Sequence, residues 1–374
     1  MITSLEIRNF KCFLQHTFAL RKLTVLSGPN ASGKSSFVQA LLLLRIAGQN
    51  PDQPGFVPLN GQHALELGAV SDVLCHSSKE NAIQFTVTTS EGRISTLLAE
   101  VGAASLENRF LSVSLKGEDL PECLTSPAGT VFAYLAAERF GPRDIQLTQS
   151  LPLEALSLGA RGEFSAEVFA AFERKEIRRA VAHGANLSET PLLRQNVESW
   201  MGEWAPKIQI RAETFPDKNI ALLRFQQRDL MSEWMRPTNV GFGVSHSLPI
   251  VLAGLLAQES GILIVDSPES HLHPAGQSAI GRFLAIVAAS GVQVILETHS
   301  DHVLNGIRIA VASAETSLGI EDVVIHNIDG RSPGAAAIDE IYMTSSGGLS
   351  RWPTGFFDQI ENDLAAIFAL RKQE

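Results

Sequence analysis

Gly28-Pro29-Asn30-Ala31-Ser32-Gly33-Lys34-Ser35 decides the fold. Two glycines flank four residues, and Lys and Ser follow, which is the phosphate-loop pattern. Such a loop curls so that successive N–H groups converge on one anionic centre. Lys34 is placed to reach the β- and γ-phosphates of a nucleotide, and the Ser35 hydroxyl to bind Mg²⁺. Gly28, Asn30, Ala31, Ser32, Gly33, Lys34, Ser35 and Ser36 are the candidate ATP-binding residues. The flanks fit the motif: Lys22 to Ser27 reads as a buried strand and Ser36 to Ala47 as an apolar helix, the strand–loop–helix order that the pattern requires.

The last third returns to α/β character. Ser245 to Glu259 reads as an apolar helix, and Gly261 to Asp266 as a fully buried strand of the parallel type. An aspartate at a strand's carboxyl end, Asp266, can hold Mg²⁺ beside Ser35. Gly276 to Ala289 reads as helix and Val292 to Glu297 as another buried strand, followed by Thr298-His299-Ser300. His299 is placed to contact the γ-phosphate or the attacking water. Gly241-Phe242-Gly243-Val244-Ser245 opens a helix and forms a second candidate anion site, so far along the chain that it need not serve the same nucleotide within one monomer.

The remaining chain bounds the reading. Residues 3–9 alternate as a strand; Ala82 to Thr88 and Gly92 to Glu100 read as paired strands, with Ser105 to Ser114 and Thr130 to Ala137 extending that sheet. Ala166 to Ala182 and Leu192 to Trp204 read as helices, and Lys207 to Phe225 alternates again. A net charge of −10 gives no support to a dedicated nucleic-acid binder, although a local basic groove remains open to it. Cys12, Cys75 and Cys123 are scattered, which fits a reducing compartment and argues against a disulfide framework. The charged N-terminus does not read as a signal peptide, and the longest apolar run, Leu248 to Ala257, is too short to cross a bilayer. A cytoplasmic protein without membrane partners is expected.

The order of phosphate loop, Gly/Ser helix start, Asp-x-Pro-Glu, His-Leu-His-Pro and Thr-His-Ser resembles ABC-type ATPases of the RecF/SMC/OLD-like branch. More narrowly, it is similar to compact bacterial ATPases of the AAA label that end in Trp-Pro-x-Gly-Phe-Phe-Asp, here Trp352 to Asp358. Arg8 to Phe13 and Glu138 to Arg143 belong to the shared stretches. The fold implied is an α/β P-loop NTPase: an ABC-type ATPase head with a mixed sheet and an α+β insertion. Its divisions are 1–75 (phosphate-loop lobe), 76–235 (insertion), 236–330 (second ATPase half) and 331–374 (C-terminal appendage).

The resemblance implies a head-to-tail homodimer, or a higher oligomer of dimers, with ATP held between the phosphate loop of one subunit and the Ser245 helix start of the other. Ser245 would match the signature serine and His299 the switch histidine, while His271-Leu272-His273 falls at the inter-subunit loop. An ATP-hydrolysing switch in DNA maintenance or anti-phage defence, working on a separate effector protein, is the function implied. No TOPRIM-type nuclease is expected in the residues after 330. A transporter ATPase is disfavoured by the atypical signature.

One departure concerns the chemistry. Where most ABC-type ATPases carry the water-polarising glutamate, this chain has Ser267, which cannot act as a base there without activation. Glu269 and Glu297 are the candidate substitutes; otherwise hydrolysis is slow and ATP acts as a clamp, the reading of a binding module or scaffold. Other residues have two readings each. Phe13 can stack on adenine or belong to the core. Arg139 and Arg143 can touch phosphate or DNA, or pair with carboxylates at a turn around Gly141-Pro142. Arg174 to Arg179 can be a solvated helix face or a phosphate contact. His271, His273, His299 and His302 have zinc-like spacing but no completing ligand.

Overall fold

The computed structural model describes residues 1–49, 55–187, 190–227, 233–313, 316–329 and 337–352, together with 363, 367, 368 and 370. The Pro353 to Asp358 part of the tail motif lies outside the described residues. Fifteen strands and eight helices are found among the described residues. The strands are β1 (Ile2–Phe10), β2 (Phe13–Ala19), β3 (Leu23–Ser27), β4 (Phe56–Pro58), β5 (Ala82–Thr89), β6 (Ile94–Glu100), β7 (Phe110–Gly117), β8 (Phe132–Leu135), β9 (Ile145–Leu147), β10 (Ile208–Phe215), β11 (Ile220–Gln227), β12 (Ile262–Asp266), β13 (Gln293–Glu297), β14 (Val323–Asp329) and β15 (Ala337–Ile341). The helices are α1 (Lys34–Gln49), the single turns α2 (Val70–Val73) and α3 (Glu122–Thr125), then α4 (Ser165–Phe172), α5 (Leu193–Gly202), α6 (Phe242–Leu256), α7 (Pro274–Ala289) and α8 (Asp301–Ala312).

The central sheet runs β15-β14-β3-β13-β12-β8 and is parallel except for β15. Its strands are apolar on both sides because both faces are covered. Alternation divides them: Leu26, Ile264 and Ile295 pack towards α1, while Val25, Leu263, Val265, Val294 and Leu296 pack in the other core, which α6, α7 and α8 share. The second sheet, β2-β1-β5-β6-β7-β4, is antiparallel throughout and closes over the far side of α1. Helix α1 is therefore sandwiched, with Phe37 and the run Leu41 to Leu44 fully buried.

Two expectations are corrected. Thr130 to Ala137 does not extend the antiparallel sheet; β8 pairs in parallel with β12 at the edge of the central sheet. The helix expected over 166–182 stops at Phe172, and Glu176 instead bridges to Leu192, so Ile177 and Val181 are buried from a turn. The basic run Arg174 to Arg179 thus lies outside the α-helix, with Arg179 opening a short 3-10 turn, and the Arg178 guanidinium donates to the carbonyl and hydroxyl oxygens of Ser290. Residues 76–235 contribute strands to three sheets: β5 to β7 join β1, β8 joins the central sheet, and β9, β10 and β11 form a third of order β10-β11-β9.

Candidate nucleotide site

The loop after β3 has the backbone its glycines allow. Gly28 and Gly33 lie at φ 134° and 115°, outside what side-chain-bearing residues tolerate. A Cβ at Gly28 would collide with the Ile328 carbonyl, and one at Gly33 would come within 2.5 Å of Cys12 Sγ. Lys34, at the start of α1, folds back: its ammonium donates to the carbonyls of Gly28 (3.1 Å) and Pro29 (2.8 Å). Burial holds its pKa below the ordinary lysine value. The Ser32 hydroxyl is buried without a partner. Around the loop lies a cleft of about 420 Å³, lined by Asn30 to Ser36, with Lys11, Cys12, Gln39, Glu297 and His299.

Two acids meet at the carboxyl ends of neighbouring strands. Asp266 of β12 stands in register with Glu297 of β13, and β13 lies next to β3. Glu297 Oε1 is 3.8 Å from Lys34 Nζ, and Ser35 Oγ donates to Oε2 at 3.4 Å. Burial, then the Asp266 charge, pushes the Glu297 carboxyl up to about 7. Burial raises Asp266 as well, against the bond it accepts from Ser267 Oγ at 2.8 Å. Ser35, Asp266 and Glu297 thus bring hard oxygen donors together beside Lys34. No cluster of three or more His, Cys, Asp or Glu that could hold a metal is found among the described residues. That donor set suits Mg²⁺, which takes one or two protein carboxylates and completes its shell with phosphate and water.

The other candidates are placed as follows. Glu269 accepts from Thr298 Oγ1 (2.8 Å) and from the His299 N–H (2.9 Å), tying the loop after β12 to the segment after β13. His299 is exposed at the cleft, and burial of its ring holds its pKa below the ordinary imidazole value. Ser300 caps α8 through the Val303 N–H.

Phe13 is buried in the core, edge-to-face against Phe18, the second of its two readings. Ser245 lies one turn inside α6 rather than at its exposed tip. Its hydroxyl is buried and without a partner, and Pro249 has no N–H to give its carbonyl. Gly241 and Phe242, at the helix start, are the exposed part. Arg143 lies over the Phe140 ring at 4.0 Å. Arg139 is buried and bonds backbone carbonyls and His246, neither of the roles expected of it.

Lys11, Cys12 and Gln39 also line the cleft, outside the phosphate-loop motif. Lys11 and Asn9 have positive φ (51° and 55°), a turn signal that Asn-Phe-Lys carries only weakly.

Comparison with known proteins is consistent with this geometry. Residues 172–305 match an AAA domain model whose description refers to the AbiEii toxin of Type IV TA systems. Residues 1–89 match an AAA ATPase domain, and 321–367 match a family of proteins of unknown function. Among solved structures, an SmcHead bound to the C-winged helix domain of ScpA aligns with TM-score 0.55 and 12% identity, covering 92% of this chain and 98% of that one. The chain carries AAA ATPase domain sequence on an SMC-head fold. A Pyrococcus furiosus Smc head domain with an extended coiled coil, bound to the C-terminal domain of ScpA, aligns equally well (TM-score 0.55, 12% identity, 99% of each chain). No curated protein sequence matches. The fold is thus an α/β P-loop head like that of SMC proteins, and the AAA ATPase domain matches make nucleotide binding at the loop its chemistry. No helix among the described residues is long and apolar enough to cross a membrane.

Proposed function

We propose that this chain is an ATP-driven switch that pairs head to tail around Mg²⁺–ATP and hydrolyses it slowly. The observation that carries the reading is the meeting of Lys34, Ser35, Asp266 and Glu297 at one sheet edge under a glycine-shaped loop. On arrival of ATP, Lys34 exchanges two loop carbonyls for β- and γ-phosphate oxygens. Ser35 and Asp266 would hold Mg²⁺, which neutralises phosphate charge during transfer. His299 lies at the cleft where the γ-phosphate would end.

Glu297 is the base we favour over Glu269. A carboxyl near 7 is matched to proton transfer at neutral pH. Glu269 has both oxygens engaged by the Thr298–His299 segment, so it positions the switch. A second chain would offer the free N–H groups at the α6 start, next to exposed Phe242, to the terminal phosphate. Hydrolysis would remove that bridge and release the pair. The AbiEii description and the ScpA-bound SMC heads support a setting in defence or DNA maintenance with a separate protein effector.

The test is light scattering with phosphate release, on wild type and Lys34→Ala. ATP should double the wild-type mass and leave the variant monomeric. An unchanged wild-type mass would overturn the pairing. The competing scaffold reading rests on Ser267, whose hydroxyl supports Asp266 rather than water; it predicts ATP-dependent pairing with no phosphate release.

A further inference from the structure

Arg139 follows β8 and is almost wholly buried, yet among the described residues no carboxylate forms a salt bridge with it. All five of its N–H donors are used. Nε donates to the His246 carbonyl (3.1 Å). Nη1 donates to the carbonyls of Ala136 (2.9 Å) and Asp266 (2.6 Å). Nη2 donates to the Ser267 carbonyl (2.8 Å) and meets His246 Nδ1 at 3.1 Å. A rigid planar fork with every donor satisfied holds its acceptors in fixed relative positions. Those acceptors belong to three separate segments: the end of β8, the start of α6 and the end of β12.

The packing around the fork is equally close. The His246 ring contacts Phe242 (centroids 5.7 Å apart) and, edge-on, His271 (4.9 Å); Phe242 and His271 are 4.3 Å apart. A Cβ on Gly141 would strike the Phe242 ring, and one on Gly243 would come within 2.5 Å of the His271 carbonyl. Exposed Phe242 and His271 are thus connected through His246 and Arg139 to the backbone beneath Asp266, with no slack between them.

We infer that Arg139 is a positioning residue that couples two nucleotide sites: it binds the α6 start, which faces the partner's nucleotide, to the Asp266–Ser267 edge, which serves the chain's own. The inference rests on the head-to-tail reading. In a two-fold pair the α6 start and Asp266 of one chain act on different ATP molecules. A shift of α6 on meeting the partner's terminal phosphate pulls on the Asp266 and Ser267 carbonyls through the guanidinium. Filling one site then changes the other, and hydrolysis becomes cooperative in ATP.

The experiment measures phosphate release against ATP concentration for wild type, Arg139→Lys and His246→Leu, with scattering mass and the binding of a fluorescent ATP analogue to dilute monomer measured on each. Wild type should show a Hill coefficient approaching the number of sites, about 2. Both variants should fall to about 1 while monomer affinity and ATP-driven pairing persist. A purely structural Arg139 would lower stability or affinity and leave the Hill coefficient unmoved. Should Arg139→Lys not fold, His246→Leu decides, since it removes the Nδ1 contact and keeps the carbonyl one. A wild type that pairs yet responds hyperbolically overturns the coupling alone, as do folded variants that keep wild-type cooperativity. A wild type that never pairs overturns the head-to-tail reading and the coupling together.

Discussion

Glu297→Gln should stabilise the nucleotide-free protein while disabling it. The carboxyl is buried next to Asp266, and its pKa is raised from 4.5 to about 7. A carboxylate whose pKa is raised on folding binds a proton more tightly in the native state. Its ionisation therefore costs stability as pH rises from 4.5 through 7, and above that the cost is full. A shift of this size corresponds to about 3 kcal/mol at pH 8, at 1.36 kcal/mol per pH unit. Gln keeps the shape and removes the charge. The variant should thus melt higher than wild type at pH 8, by several degrees. The gap should narrow as pH falls through 7 and vanish near 4.5.

Hydrolysis should move the other way. Wild-type turnover should rise with pH through about 7, as the base ionises. The variant should retain ATP binding, lose about 10²-fold or more of kcat, and lose the pH dependence. The assays are thermal melts from pH 4.5 to 8.5 with no nucleotide, and phosphate release over the same range. A variant less stable than wild type at pH 8 would refute the burial argument. Turnover within about twofold of wild type would remove Glu297 as the base.

Three further outcomes are expected. Gly33→Ala should cost at least about tenfold in ATP affinity, measured with a fluorescent analogue, because the new methyl meets Cys12 Sγ at a φ of 115°. Glu269→Gln should lower kcat by about 10- to 100-fold with nucleotide affinity nearly intact, since one of the two bonds that hold Thr298 and His299 is weakened. Ser267→Glu should not raise phosphate release, because Ser267 sits at φ 49°, where a larger side chain is strained, and its hydroxyl bond to Asp266 is lost.

The ATPase half of the fold was legible because its signals are local. The phosphate loop, the strands ending at Asp266 and Glu297, and helices α1 and α7 each carry their own periodicity or motif. Phe132 to Leu135 reads as a further strand of the antiparallel sheet yet pairs with β12, since four apolar or aromatic residues have no phase that distinguishes one edge from another. Ile177 and Val181 kept helical spacing beyond Phe172, yet a bridge between Glu176 and Leu192 ended the helix through a contact distant in sequence. In the site, Asp266 and Glu297 were visible as strand ends, but their register with each other is a property of the sheet. Arg139 was hidden for a different reason: it recognises backbone carbonyls, and these leave no trace in residue identity.

Lys34 occupies the seat its ligand will need, held by the oxygens of Gly28 and Pro29. These internal bonds hold the cradle's form, so nucleotide capture would be an exchange of contacts rather than a condensation of loose chain. Such an exchange screens incoming nucleotides by the length of their anionic tail. AMP, which ends at its α-phosphate, should therefore bind far more weakly than ADP or ATP, whose tails reach Lys34. Discrimination between spent and fresh fuel is then left to whatever grips the outermost group.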